Sequence, residues 1–177
     1  MIYCKKYQSP LGEITLNSDG ENLTAVCFEA GRDYERYINI SEEKELPIFD
    51  ETVKWLDIYF AGQAPDFIPK YKINDITPFR QDVISEMLKI PYGQTVTYND
   101  ISKVIAKKRG IKRMSAQAVG GAVGWNPICI IIPCHRVVGT NGSLTGYGGG
   151  IENKIKLLEL EGINMENFYV PKKGTAL

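Results

Sequence analysis

This 177-residue sequence has no long apolar run, one histidine, no C-x-x-C pair and no net charge. Its longest apolar run, Ile128 to Pro133, is far short of the roughly 18 residues a membrane helix needs. Met1-Ile2-Tyr3-Cys4-Lys5-Lys6 is not followed by an apolar stretch and a small-residue cleavage site, so secretion is not expected and a cytoplasmic location is. A lone His135 cannot complete a Cys/His cluster at zinc spacing, so no metal is expected. Without a secretory signal, Cys4, Cys27, Cys129 and Cys134 read as reduced thiols rather than a disulfide framework.

At 44% apolar and 24% charged, the composition is that of an ordinary globular chain, long enough for one domain or two small ones. The zero net charge hides an asymmetry. Residues 1–77 hold 8 basic and 14 acidic residues, a net of −6; residues 78–177 hold 13 and 7, a net of +6. Only the second half is therefore expected to meet a polyanion. A chance dipole would leave the same trace.

The N-terminal part reads as a β-meander, with strands at Ile2–Tyr7, Glu13–Asn17 and Asn22–Phe28 separated by Ser-Pro-Leu-Gly and Ser-Asp-Gly turns. An acidic stretch, Ser41 to Glu45, precedes a helix from about Ile48 to Phe60, where Val53, Leu56 and Phe60 recur at spacings of three and four. Irregular sequence up to Thr77 reads as a linker, and this half carries no chemical motif.

Thr77-Pro78-Phe79 opens a second helix, with Thr as N-cap and Pro at the first helical position. Thr97-Tyr98-Asn99-Asp100 resembles a capping box, and Ser115 caps a further helix from Ala116 to about Gly124. Between these two helices lies Lys107-Lys108-Arg109-Gly110-Ile111-Lys112-Arg113. Helix, basic turn, helix is the outline of a helix-turn-helix, which gives the turn weight as a phosphate contact. The helix after it carries Ala116, Ala118, Gly120, Gly121, Ala122 and Gly124. Either it packs closely on a neighbouring helix or something bulky approaches its backbone. A base-reading helix would instead be rich in Arg, Asn or Gln.

After Asn126-Pro127, the run Ile128–Ile132 reads as a buried strand delivering Pro133-Cys134-His135-Arg136-Val137-Val138. A thiol attacks as thiolate, and Cys134 has a histidine and an arginine for neighbours. Cys129, among isoleucines, reads as an inert small hydrophobe. Adjacent side chains of an extended segment point to opposite sides, so His135 would reach Cys134 only through a bridging water or a tight turn. The histidine also needs a third group to fix its tautomer.

The Pro133–Val138 motif, with Asn126-Pro127, Ala118-Val119-Gly120-Gly121-Ala122, Thr77-Pro78-Phe79, Ile90–Thr95, Tyr147–Gly150 and Lys156–Gly162 in order, resembles the O6-methylguanine-DNA methyltransferase family. The resemblance covers about residues 77–162. It implies an α+β fold in two domains. Residues 1–76 would form a ribonuclease-H-like scaffold of β-meander plus helix. Residues 77–177 would form a mainly helical domain with a helix-turn-helix of winged-helix type. The implied reaction is DNA repair by irreversible, stoichiometric transfer of a methyl or alkyl group from O6-alkylguanine to Cys134, extending to O4-alkylthymine. His135 corresponds to the histidine that takes the thiol proton through a water, and Glu161 to the glutamate that orients it. Asn126 corresponds to the asparagine tying the reactive turn to the DNA-binding unit, and Tyr98 to the tyrosine donating to the departing guanine.

The same resemblance places Ser115, Ala116, Gln117, Ala118, Gly120, Arg136, Val137, Tyr147, Gly148 and Gly149 at the DNA or the base, with the carbonyls of Cys134 and Val137 reading it. It implies a monomer that flips a base out of duplex DNA from the minor groove, with no cofactor, at the nucleoid if the source is bacterial or archaeal. Two departures stand out. Gln117 replaces the usual arginine that fills the hole left by the flipped base, and Gly148 replaces a serine that donates to guanine O6 in some members. Three rival functions compete. A lesion binder of the alkyltransferase-like kind would have tryptophan in place of Cys134. A thiol hydrolase would need an oxyanion hole that the sequence does not declare. A helix-turn-helix regulator would need base-reading side chains.

Overall fold

A computed structural model describes residues 1–29, 31, 34–35 and 41–172; the end of the expected second domain, residues 173–177, lies outside the described residues. The chain divides into two compact units, one of Met1–Asp75 with Pro127–Ile131, the other of Ile76–Asn126 with Ile132–Leu177.

The first unit is built on a four-stranded sheet in the order β3-β2-β1-β4. β1 (Ile2–Ser9), β2 (Gly12–Ser18) and β3 (Leu23–Phe28) form the expected antiparallel meander. The acidic stretch differs from its reading as plain sequence before a helix: Ser41–Glu43 forms β4, parallel to β1. Central β2 is buried on both faces, from Ile14 and Leu16 to Thr15 and Asn17. The outer edge of β3 is not left open to other chains. Residues 70–72 bond to Leu23 at one end, and at the other Val26 N–H donates to the Pro127 carbonyl (2.8 Å) and accepts Cys129 N–H (2.9 Å) at its own carbonyl. Helix α1 (Pro47–Phe60) buries Ile48, Phe49, Thr52, Trp55, Leu56 and Tyr59, a stripe at helical spacing.

The Ile128–Ile132 run is buried as expected but is not a strand. A single bridge, Val26 to Ile128, is followed by turns, and Ile130 takes φ 69°. A β-branched residue in the left-handed region is strained, so the run is bent there rather than extended.

The second unit holds α2 (Pro78–Met87), α3 (Tyr98–Lys108), α4 (Ala116–Gly124) and α5 (Ile151–Leu160). Their starts follow local chemistry. Thr77 Oγ1 accepts Arg80 N–H, Thr97 and Asp100 form a reciprocal capping box, and Ser115 Oγ accepts Ala118 N–H. β5 (Val96–Thr97) pairs in parallel with β6 (Val137–Val138), which anchors the residues just after the Cys-His-Arg segment. Val138, Leu144 and Leu158 form a small core with Ile151, Ile155 and Phe168 around α5. Among the described residues no helix is long and apolar enough to cross a membrane.

Candidate active site

Asn126 and Ile132 stand where the chain leaves and re-enters the second unit, and one side chain joins them. Asn126 Nδ2 donates to the Ile132 carbonyl (2.9 Å) and to Cys134 Sγ (3.1 Å). Pro133 then leads into a single 3-10 turn, Cys134–Arg136, with Cys134 N–H bonded back to the Ile132 carbonyl (2.8 Å). The segment is thus a tight turn rather than an extended strand end. Cys134 and His135 are both buried, the latter fully.

Glu161, at the C-terminal end of α5, is the hub of a buried charge cluster. Its Oε1 lies 2.6 Å from His135 Nε2. Arg136 donates to both carboxylate oxygens, from Nε (3.1 and 2.9 Å) and Nη2 (3.0 Å). Gly93 N–H adds a further bond to Oε2 (3.0 Å), while Arg136 Nη1 donates to the Ile90 carbonyl (2.8 Å). The Ile90–Gly93 segment thus serves as a backbone cradle for this pair. Burial by itself would raise the Glu161 pKa, but His135 and Arg136 hold it down at about 2. Burial shifts His135 the other way, towards its neutral form, and the Arg136 and Lys154 charges add to that against the pull of Glu161. An ionised Glu161 accepts only, so Nε2 carries the hydrogen and Nδ1 is the basic nitrogen of the neutral ring.

Arg136 is engaged within the protein. Expected at the DNA, it is buried with its donors committed to Glu161 and Ile90, because a guanidinium taken out of water needs its counter-ion beside it. Tyr98 also differs from expectation: its hydroxyl donates to the Thr145 carbonyl (3.0 Å), and burial raises its pKa to about 12. The Val137 carbonyl accepts Lys154 Nζ (2.6 Å), and the Cys134 carbonyl accepts Val137 N–H. Tyr147 is buried with its ring edge-on to His135, 6.4 Å between centroids. Gly148 is half-buried, and Gly149 is buried with its carbonyl accepting Asn153 Nδ2 (2.9 Å).

The remaining expected contacts lie on α4. Ser115, Gln117 and Ala118 are exposed, while Ala116 and Gly120 are half-buried. Val119, Ala122 and Val123 face inward. A methyl group added at Gly121 or Gly124 would meet nothing within 4 Å. Among the described residues, packing therefore does not require these two glycines.

The basic turn divides in two. Lys108 Nζ (2.6 Å) and Arg109 Nε (2.8 Å) bond to Asp82 of α2, whose pKa Lys108 and then Arg109 depress. Those two cations brace the turn. Lys103, Lys107, Lys112 and Arg113 instead rim an open cleft of about 460 Å³ between α3 and the start of α4. Among the described residues no cluster of three or more His, Cys, Asp or Glu side chains is placed to hold a metal ion.

Sequence reasoning missed Lys154 and Thr145. The signal for Lys154 was there: it sits three and four residues before Leu157 and Leu158, in the apolar register of α5.

Comparison with known proteins places this arrangement. A family described as "6-O-methylguanine DNA methyltransferase, DNA binding domain" matches residues 78–163, and "6-O-methylguanine DNA methyltransferase, ribonuclease-like domain" matches residues 2–68. The chain belongs to the 6-O-methylguanine DNA methyltransferase family. Methylated-DNA–protein-cysteine methyltransferases of Mycobacterium leprae and Methanosarcina acetivorans are each 40% identical over 161 residues, 91% of this chain and 93% and 99% of theirs. The crystal structure of Mycobacterium tuberculosis O6-methylguanine methyltransferase matches with a TM-score of 0.78 at 40% identity, over 91% of this chain and 93% of that one. OGT of the same organism in complex with DNA matches at 0.76 and 39%, over 90% and 92%. In this methyltransferase family member, then, the Cys-His-Arg turn, Asn126 and Glu161 all fall within one unit.

Proposed function

We propose that this chain repairs DNA by moving one methyl or alkyl group from guanine O6, or thymine O4, to Cys134, once per molecule. The observation carrying this reading is the buried cluster in which Asn126 donates to Cys134 Sγ while the adjacent His135 is bound to an ionised Glu161. His135 Nδ1 takes the thiol proton through a water. The Sγ–carbon bond forms as the O6–carbon bond breaks, and the electron pair stays with guanine, which takes up a proton. Glu161 offsets the charge on the imidazolium. The thioether has no leaving tendency in water, so no turnover follows.

On this reading the protein acts as a monomer in the cytoplasm, beside the nucleoid in a bacterium or archaeon. Residues 1–76 serve as scaffold and residues 77–177 carry the chemistry. The open glycines of α4 let the minor groove approach, and Lys107, Lys112 and Arg113 contact phosphates. Tyr98 exchanges the Thr145 carbonyl for the incoming base, and backbone N–H groups around Gly148 take the place of the serine donor. Incubation with duplex carrying O6-methylguanine should add the mass of one methyl group, on the Cys134 peptide, and stop there. Unmodified protein, or repeated turnover, overturns the reading.

Gln117, exposed on the first turn of α4, fills the gap left by the flipped base without a charge. Gln117→Arg should tighten binding to lesion-bearing duplex severalfold in a titration. Equal affinities would remove position 117 from that role.

A further inference from the structure

The reaction above makes no use of Lys154, yet this side chain is fully buried on the inner face of α5 beside Leu157 and Leu158. Its Nζ donates to the Val137 carbonyl (2.6 Å) and the Thr145 carbonyl (3.0 Å). Thr145 shares that oxygen with the Tyr98 hydroxyl, and Nζ lies 5.8 Å from the Tyr98 ring centre. One ammonium group therefore links the strand after the Cys-His-Arg turn, the loop before α5 and the tyrosine at the start of α3.

A buried charge needs an opposite one. Among the described residues, no carboxylate forms an ion pair with Lys154. Beside the two carbonyls, the groups it acts on are Tyr98 from α3 and Cys134 and His135 from the reactive turn, His135 being bound in turn to Glu161. Glu161 is matched by Arg136, His135 is held towards neutrality, and Tyr98 stays protonated. With that pair cancelled, the Lys154 ammonium is the remaining positive charge acting on Cys134, and it favours the thiolate whether the proton leaves to His135 or to water.

We propose, on the reading that Cys134 accepts the methyl group, that Lys154 is a positioning residue for the transfer: its ammonium group holds the Val137 and Thr145 carbonyls, and through Thr145 the Tyr98 hydroxyl, in one frame, and supplies the buried positive charge beside which the Cys134 thiol ionises. Capture of the alkyl group then removes the sulfur's charge and leaves the ammonium without its counterpart. Burial already lowers the Lys154 pKa to about 8 against an upward pull from Cys134, so the capped protein should release this proton more readily.

The test needs no DNA. Wild type, Lys154→Met and Lys154→Gln are treated with iodoacetamide across a pH series, and the rate at Cys134 is followed by the mass of its peptide. In both variants the midpoint should move up by about one pH unit or more, which is about tenfold less thiolate at neutral pH. Methyl transfer should slow about tenfold at pH 7 and recover as pH rises. Lys154→Gln keeps a donor for one carbonyl, so it should retain more transfer than Lys154→Met above that midpoint. A midpoint unmoved in both variants, or a loss of transfer equal at every pH, overturns the proposal. Should neither variant fold, the wild type suffices: the Lys154 titration, read by NMR of labelled lysine, should fall once iodoacetamide caps Cys134, and a titration that stays put overturns it. A protein that passes these thiol tests but takes no methyl group from DNA refutes the repair reading alone.

Discussion

Glu161→Gln should cost the protein both its reaction and much of its stability. The amide cannot offset a charged His135, and transfer should slow by about a hundredfold, the scale of a lost general base. The larger consequence lies with Arg136. Its buried guanidinium keeps the Ile90 carbonyl but loses its counter-ion, and breaking a buried pair from one side typically costs about 3–5 kcal/mol. Urea denaturation should register that loss. Adding Arg136→Met should restore part of the stability and none of the rate, since the second change removes the stranded charge but leaves His135 unsupported. A Glu161→Gln protein with full stability and full rate would show that the cluster serves neither purpose.

The wild type offers the same comparison through pH. Glu161 is held at about 2 in the fold against an ordinary 4.5, so its stabilising contribution is whole above about pH 4.5 and drains away as pH falls towards 2. That shift corresponds to on the order of 3 kcal/mol. His135 acts in the same direction. Burial depresses its pKa below the ordinary 6.5, so the unfolded chain binds the proton first and acidification through that value favours unfolding. The urea midpoint should therefore decline gently below pH 6.5 and more steeply below pH 4.5; a midpoint flat down to pH 3 would refute the buried ionised Glu161.

Asn126→Ala should be the next most damaging change. It removes one of two donors to the Ile132 carbonyl, which keeps Cys134 N–H, at a cost of about 1 kcal/mol, and takes from Cys134 Sγ the donor that favours its ionised form. Asn126 joins the point where the chain departs for the Pro127–Ile131 segment to the point where it returns, so the reactive turn loses its tether as well. Transfer should fall at least tenfold, by single-turnover kinetics. Asn126→Asp should be worse still, because it sets a carboxylate against the developing thiolate. Aspartate transferring faster than alanine would mean that Nδ2 does not act on the sulfur.

Where a residue's role is local, the sequence could be read correctly. Thr77, Thr97 with Asp100, and Ser115 cap the helices assigned to them, because a cap is decided by the N–H groups of the next turn. The three meander strands follow from alternation and turn residues in the same way. β4 escaped notice because Ser-Glu-Glu has no strand signature of its own; pairing with β1 creates it. The run Ile128–Ile132 reads as buried on hydrophobicity, which it is, and as extended, which it is not, since periodicity says nothing of the bend at Ile130.

What the chain determined by itself is which groups are present for chemistry: one thiol beside the only histidine, an asparagine upstream, a glutamate downstream, and a helix stripped of side chains. Tertiary structure alone decided how those groups are wired. Arg136 reads as a cation available to DNA until the fold sets it against Glu161 and the Ile90 carbonyl. Two of the cations in the basic turn read like the others until Asp82 of α2 claims them. Lys154 reads as one more lysine until α5 turns it inward onto two carbonyls. The reason is common to all three. A charge's effect depends on what surrounds it and how far it is from water, and both are set by residues distant in the sequence.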